Sequence, residues 1–120
     1  MGKFVIRKVQ SGVKFDLLAA NGEKIATSGV YDSLPACRKG MESMVKSAAK
    51  AKVCDLTQGE AVSNPRFEIY QDRAGGFRFR LRARNGKVIA SSEGYTGKAG
   101  CMDGVESVVQ NAPIAVIEIQ

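Results

Sequence analysis

Apolar and polar residues alternate along parts of this chain with the period of β-strands. In the second half, residues 66–71 and 77–84 place apolar side chains at every second position, which is typical of strands with one buried face. The intervening turn contains Gly75 and Gly76, and Asn85-Gly86 then leads into a third strand over 87–92. The pattern predicts a three-stranded antiparallel meander.

The apolar period then lengthens to that of a helix. Small or apolar residues follow the spacing i, i+3, i+4, i+7, i+8 at Cys37, Gly40, Met41, Met44 and Val45, and again at Cys101, Gly104, Val105, Val108 and Val109. A helical glycine is about 1 kcal/mol less favourable than alanine, so Gly40 and Gly104 predict a close approach of helix backbone to sheet. Asp32 and Thr96 are matching candidate N-caps, and Ser33 competes with Asp32.

The two halves are copies of one unit. Asn21-Gly22 matches Asn85-Gly86 at a shift of 64, and the residues of the later strands and of the helices align at the same shift, whereas the first strands align at a shift of 63. A last strand over 114–119 has a weaker counterpart over 51–56. We expect repeat one over 1–56, a linker over 57–65 and repeat two over 66–120. Because about 60 residues alone would be marginally stable, the halves should share one core.

The predicted fold is therefore a single α+β domain. It consists of two tandem β3-α-β repeats, in each of which a three-stranded meander is followed by a helix and a last strand.

Particular residues of the second unit match a known family pattern. They are Asn85-Gly86, Ile89, Ser92-Glu93, Tyr95, Gly104, Ser107-Val108 and Asn111-Ala112-Pro113. With these residues the chain resembles the YegP-like family of small bacterial proteins of unknown function. The resemblance implies that two β3-α-β units form a single sheet and exchange their last strands. We therefore expect one mostly antiparallel sheet with both helices on one face and a pseudo-twofold axis relating the halves. The resemblance implies no activity.

The first unit departs from the family pattern. Gly29 stands where the second unit has Glu93, and 47–49 lacks the residues that end the second helix. Any ligand site of the family around this motif would therefore be kept only by Ser92, Glu93 and Tyr95, which are our candidate ligand residues.

The amino-acid composition argues against most common catalytic mechanisms. The chain has no histidine, the commonest general base and metal ligand. Cys37 and Cys101 lie on the helical stripes, where a buried hydrophobe is expected rather than a nucleophile, and Cys54 lies in or beside a strand. No phosphate loop or paired-carboxylate spacing is present. We expect no enzyme, metal site or cofactor.

Two further features concern location. The three cysteines are odd in number and lack C-x-x-C spacing, which suits a reducing compartment. Neither a signal-peptide pattern nor an apolar run of about 18 residues occurs. We expect a cytoplasmic protein that does not enter membranes.

The sharpest polar feature is an alternating run of four arginines, Arg78, Arg80, Arg82 and Arg84. The strand period sends all four to the face opposite the core. Guanidinium groups suit phosphate or carboxylate, and the net charge of +6 makes a polyanion the natural weak partner. Alternatively, the arginines pair with Glu68 and Asp72 on a solvated face, where each pair contributes about 0–1 kcal/mol.

Two functions remain open. One is a non-enzymatic binding module whose basic sheet face engages an anionic partner, of which nucleic acid is an example. Only Tyr70 shares that face and tryptophan is absent, so base stacking is not expected. The other is a protein-interaction or assembly domain, with a protein partner or a second copy bound at an open sheet edge or at the outward Leu18 and Ala20.

Overall fold

The computed structural model describes residues 2–120. The first repeat contains β1 (Lys3–Val9), β2 (Gly12–Leu18), β3 (Lys24–Ser28), α1 (Leu34–Lys50) and β4 (Lys52–Asp55). The second contains β5 (Arg66–Gln71), β6 (Phe77–Arg82), β7 (Val88–Ser91), α2 (Lys98–Asn111) and β8 (Val116–Ile119). The predicted α+β fold with two tandem β3-α-β repeats is confirmed.

All eight strands form one open sheet in the order β4-β5-β6-β7-β3-β2-β1-β8. The two meanders are antiparallel and meet where β3 and β7 pair antiparallel, with Thr27 opposite Ser91. The outermost pairings, β4 with β5 and β8 with β1, are parallel. Each repeat's last strand therefore lies beside the first strand of the other repeat, and the sheet is mostly antiparallel, as predicted.

Both helices pack on one face of this sheet. The strand residues beneath them are buried aromatic and aliphatic side chains, namely Phe4, Ile6, Phe15, Leu17, Phe67, Ile69, Phe79 and Leu81. They join the buried residues of α1 and α2 in a single hydrophobic cluster, so the halves share one core. Neither helix among residues 2–120 has the length and hydropathy needed to cross a membrane.

One glycine in each helix makes room for a tyrosine. A Cβ at Gly40 would overlap the hydroxyl of Tyr31, and a Cβ at Gly104 would overlap that of Tyr95 and lie 2.9 Å from Phe79. Each tyrosine ring also stacks on a core phenylalanine, with centroids 6.3 and 6.5 Å apart. The predicted close approach is confirmed, but a tyrosine side chain makes it rather than the sheet backbone.

The helix N-termini correct one expectation. Ser33 caps α1 by accepting a hydrogen bond from the Ala36 amide at 3.2 Å. Thr96 does not cap α2, because that helix begins at Lys98 with Gly97 as its N-cap and without a side-chain cap. Gly97 occupies the position that matches Ser33, so the helices begin at equivalent places but only the first has a side-chain cap.

Candidate anion-binding face of the sheet

The sheet face opposite the helices, here called the outward face, carries most of the net charge. Its cations are Lys3, Arg7, Lys14, Lys24, Lys52, Arg66, Arg78, Arg80 and Arg82, and its carboxylates are Asp16, Glu68, Asp72 and Glu118. The strand period and the register place these side chains together. These nine cations exceed the four carboxylates by five charges, and the nearby Glu93, which interacts electrostatically with Arg78, reduces the surplus to four of the chain's +6.

A buried carboxylate lies beneath the arginine stripe. Glu68 on β5 is 1% exposed. The Nε groups of Arg80 and Arg82 donate to its Oε1 at 2.5 and 2.7 Å, and Arg66 donates to its Oε2. Burial alone would raise the pKa of Glu68, but these three guanidinium groups outweigh it and lower the pKa to about 2. Glu68 therefore stays ionised, and the four-residue cluster keeps two net positive charges.

Arg78 pairs with the other carboxylate that the sequence singled out. Its Nε donates to Oδ2 of Asp72 at 2.8 Å. Asp72 also accepts from the backbone amides of Ala74 and Gly76, which fixes the turn between β5 and β6. The pairing of the stripe with Glu68 and Asp72 is thus observed for Arg78, Arg80 and Arg82.

Arg84 does not belong to the outward face, so the prediction that all four arginines share it is wrong. The register shifts between Leu81 and Arg82, and β6 ends at Arg82. The strand alternation therefore stops before Arg84. This exposed side chain instead lines a groove with Lys46 of α1.

The paired arginines still present donors to solvent. Arg80 uses its Nε for Glu68, and among residues 2–120 its two terminal nitrogens make no hydrogen bond. Its guanidinium lies 4.4 Å from the ring centroid of Tyr70, and its side chain is 28% exposed. Glu68 and Tyr70 therefore hold the guanidinium in place while leaving its outer edge open.

The first repeat has its own buried carboxylate on the outward face. Asp16 on β2 is 4% exposed and accepts from Arg7 Nε at 2.8 Å and Thr27 Oγ1 at 2.6 Å. Burial opposes its ionisation, but these hydrogen bonds and Lys24 lower the pKa of Asp16. Asp16 aligns with Arg80, so the repeats place their buried acids on different strands. The sequence signal was a lone acid between two core residues of β2.

The candidate ligand residues make structural contacts. The buried Ser92 hydroxyl accepts from the Phe79 amide and donates to the Glu93 carbonyl, both at 2.9 Å. Ser28 makes the equivalent bonds in the first repeat. Tyr95 packs against α2, while the Glu93 side chain is exposed. The contacts of Ser92 and Tyr95 are thus duplicated, and a ligand role for these residues stays a prediction.

The cysteines are free and buried. Burial raises the pKa of Cys37, and raises that of Cys101 to about 11. Both thiols are therefore protonated at neutral pH, which disfavours nucleophilic chemistry. Within residues 2–120, His, Cys, Asp and Glu side chains form no cluster suited to a metal ion.

Comparison with known proteins agrees with the duplication. The family profile described as "Domain of unknown function (DUF1508)" matches twice, over residues 11–55 and 72–118. A UPF0339 protein of Treponema denticola is 58% identical over 55 residues, which are 45% of this chain and 95% of that protein. A protein described as "UPF0339 protein in ptx operon 5'region", from Stutzerimonas stutzeri, is 66% identical over 47 residues, 39% of this chain and 42% of that protein's length.

Longer matches cover both repeats. A UPF0339 protein of Pseudomonas aeruginosa is 33% identical over 114 residues, which span 94% of this chain and 92% of that protein. The solution structure of yegP from E. coli, a protein of unknown function, superposes with a TM-score of 0.81 at 28% identity and covers 99% of this chain and 92% of that one. The resemblance inferred from the sequence is confirmed: the chain belongs to the DUF1508 (UPF0339) family, as a tandem-repeat member.

Proposed function

We propose that this protein is a non-catalytic binding module whose outward face holds an anionic partner, and that nucleic acid is such a partner. The proposal rests on one observation, the surplus of four positive charges on an open sheet face. Two buried carboxylates hold several of the guanidinium groups in place. Side chains ordered in advance lose little conformational entropy when they bind phosphate.

The expected contacts are with the phosphate backbone. Tyr70 is partly covered by Arg80, whose guanidinium lies 4.4 Å from its ring centroid, which leaves little aromatic surface for stacking bases. Binding should therefore be nearly independent of sequence and should weaken steeply with salt, because cations neutralise phosphates and release counterions.

The best variants remove outward cations that have no carboxylate partner. Lys14 and Lys52 form no ion pair among residues 2–120, so Lys14→Gln with Lys52→Gln leaves the Glu68 cluster intact. We expect weaker binding of mixed-sequence DNA and RNA in fluorescence polarisation. The slope of log affinity against log salt should decrease by about 1 for each phosphate that the variant no longer neutralises.

The matched control removes two exposed cations that lie off the outward face, by Lys8→Gln with Arg38→Gln. It has the same net charge as the test variant and should retain the wild-type slope. Absence of binding at low salt, or an equal loss in both double variants, would refute the proposal.

One observation favours a second candidate, a protein-interaction domain. The strand β8 lies at an open sheet edge, and its apolar residues Val116, Ile117 and Ile119 are 54%, 50% and 53% exposed. Such an edge can pair with a strand of another chain. Sedimentation of the wild type and of Ile117→Lys tests this candidate: it requires a salt-insensitive oligomer or stable protein complex that the substitution dissociates.

A further inference from the structure

A groove of about 680 Å³ lies on the other side of the molecule. One wall is the exposed flank of α1, which carries Lys39, Glu42, Lys46 and Lys50. The opposite wall is formed by Asn64 of the linker and by Arg84 in the turn after β6. It is thus separate from the outward face and is built by segments far apart in the chain.

The cations of this groove have no carboxylate partners. Lys39, Lys46, Lys50 and Arg84 face a single lining carboxylate, Glu42, and none of the four forms an ion pair within residues 2–120. On the outward face, in contrast, all five arginines pair with a carboxylate. Four cations that line one groove give it a positive potential, which favours the binding of an anionic ligand.

The second repeat provides an internal comparison. The repeat shift aligns the four groove cations with Asp103, Gln110, Ile114 and Ala20, none of which is basic. Other lining positions are the same in both repeats, including Glu42 with Glu106 and Asn85 with Asn21. The fold therefore does not require these cations, because the positions related to them by the repeat carry no basic residue.

We propose that this groove binds a small phosphorylated ligand that carries two or more phosphoryl groups and is no larger than a nucleotide. Its volume lies within the roughly 300–1,000 Å³ of small-molecule sites. Three ammonium groups and one guanidinium match the charge of a di- or triphosphate. Glu42 repels phosphate from its part of the wall and can accept hydrogen bonds from ligand hydroxyl groups.

Asn64 provides a second polar feature in the same groove. Its side-chain Oδ1 is buried and has no hydrogen-bond partner among residues 2–120. Buried acceptors are normally satisfied, so Asn64 is a polar residue of the groove wall whose oxygen lacks a donor.

The test variant is Lys46→Gln with Arg84→Ala, which introduces the residues found at the matching positions of the second repeat. Calorimetric titrations at low salt use two probes, pyrophosphate and ATP without magnesium. We expect saturable binding of at least one probe to the wild type and at least about tenfold weaker binding to the variant, because two charged hydrogen-bond donors are removed. Lys39→Asp, which introduces the residue of the matching position Asp103, should weaken binding independently if the double variant misfolds.

The control is Lys8→Gln with Arg38→Gln, which removes two exposed cations outside both the groove and the outward face and should bind both probes like the wild type. Binding of pyrophosphate but not ATP would support the site and restrict its ligand to compact polyphosphates. Failure of both probes to saturate the wild type, or equal affinity for wild type and groove variants, would overturn the inference. Nucleic-acid binding by the groove variant tests the outward face separately, so the two proposals can fail independently.

Discussion

Single residues explain how so many cations share one sheet face. Glu68 and Asp16 are almost completely buried there, each beneath guanidinium or ammonium groups. Without them, the neighbouring cations would repel one another in a partly desolvated setting. The two acids therefore stabilise the fold and also orient the groups proposed to bind anions.

Replacing Glu68 by glutamine should destabilise the protein. The substitution keeps the side chain's shape but leaves Arg66, Arg80 and Arg82 without their counterion. Because those arginines are 24–28% exposed, we expect a loss of about 2–3 kcal/mol in the free energy of unfolding, less than for a fully buried pair. Urea denaturation measures it. The control Glu118→Gln breaks an exposed pair with Lys3 and should change stability by less than about 1 kcal/mol.

Acid should weaken the fold through the same carboxylate. The pKa of Glu68 is lowered from an ordinary 4.5 to about 2, so the folded state binds its proton less readily than the unfolded state. Its stabilising contribution is complete above about pH 4.5 and is lost as the pH falls through about 2. Urea midpoints measured across this range should fall less steeply for Glu68→Gln than for the wild type. Equal slopes would contradict the assigned role of Glu68.

At the scale of elements, each helix is positioned on the sheet by a contact between one of its glycines and a tyrosine. Gly40 and Gly104 admit the tyrosines that end the preceding meanders, Tyr31 and Tyr95. The isolated bridges of Tyr31 to Val13 and Tyr95 to Phe77 fix those tyrosines to the sheet. The same glycine–tyrosine contact therefore docks both helices on the sheet.

Adding a methyl group at this glycine–tyrosine contact should lower the free energy of unfolding. Gly104→Ala gains about 1 kcal/mol of helix propensity, but its Cβ would overlap Tyr95. Overpacking typically costs about 1–3 kcal/mol, so we expect net destabilisation in thermal unfolding. Gly100→Ala lies in the same helix, and its Cβ would meet Tyr95 Cδ1 at an ordinary 3.4 Å. This substitution should be neutral or stabilising. A similar loss of thermal stability in both variants would refute the role of the glycine–tyrosine contact.

At the scale of the whole molecule, the sequence predicted what is local and repeated. Alternating residues, Asn-Gly turns and helical stripes recur in both halves, so the element order followed from short windows, and the shared core followed from the small size of each half. Arg84 was misplaced because alternation does not reveal where a strand ends. Thr96 was misplaced because cap candidates one residue apart look alike. The groove beside α1 combines that helix, the linker and a β-turn, so no contiguous stretch of the sequence predicted it.

The distribution of charge over the whole molecule separates two surfaces. The outward face combines its cations with buried acids, whereas the groove beside α1 has cations without carboxylate partners. Neither surface is duplicated in full, although the scaffold beneath both is. Differences between the repeats therefore indicate candidate binding residues better than their similarities do.

The most direct test of the proposed function maps where a nucleic acid binds. Amide chemical shifts are recorded while mixed-sequence single-stranded DNA is added to the whole chain at low salt. We predict perturbations concentrated on β1, β2, β5 and β6 and on the outward arginine side chains, and these should disappear as salt is raised. No perturbation, or perturbations confined to α1, α2 and the β8 edge, would contradict the outward face as the binding surface.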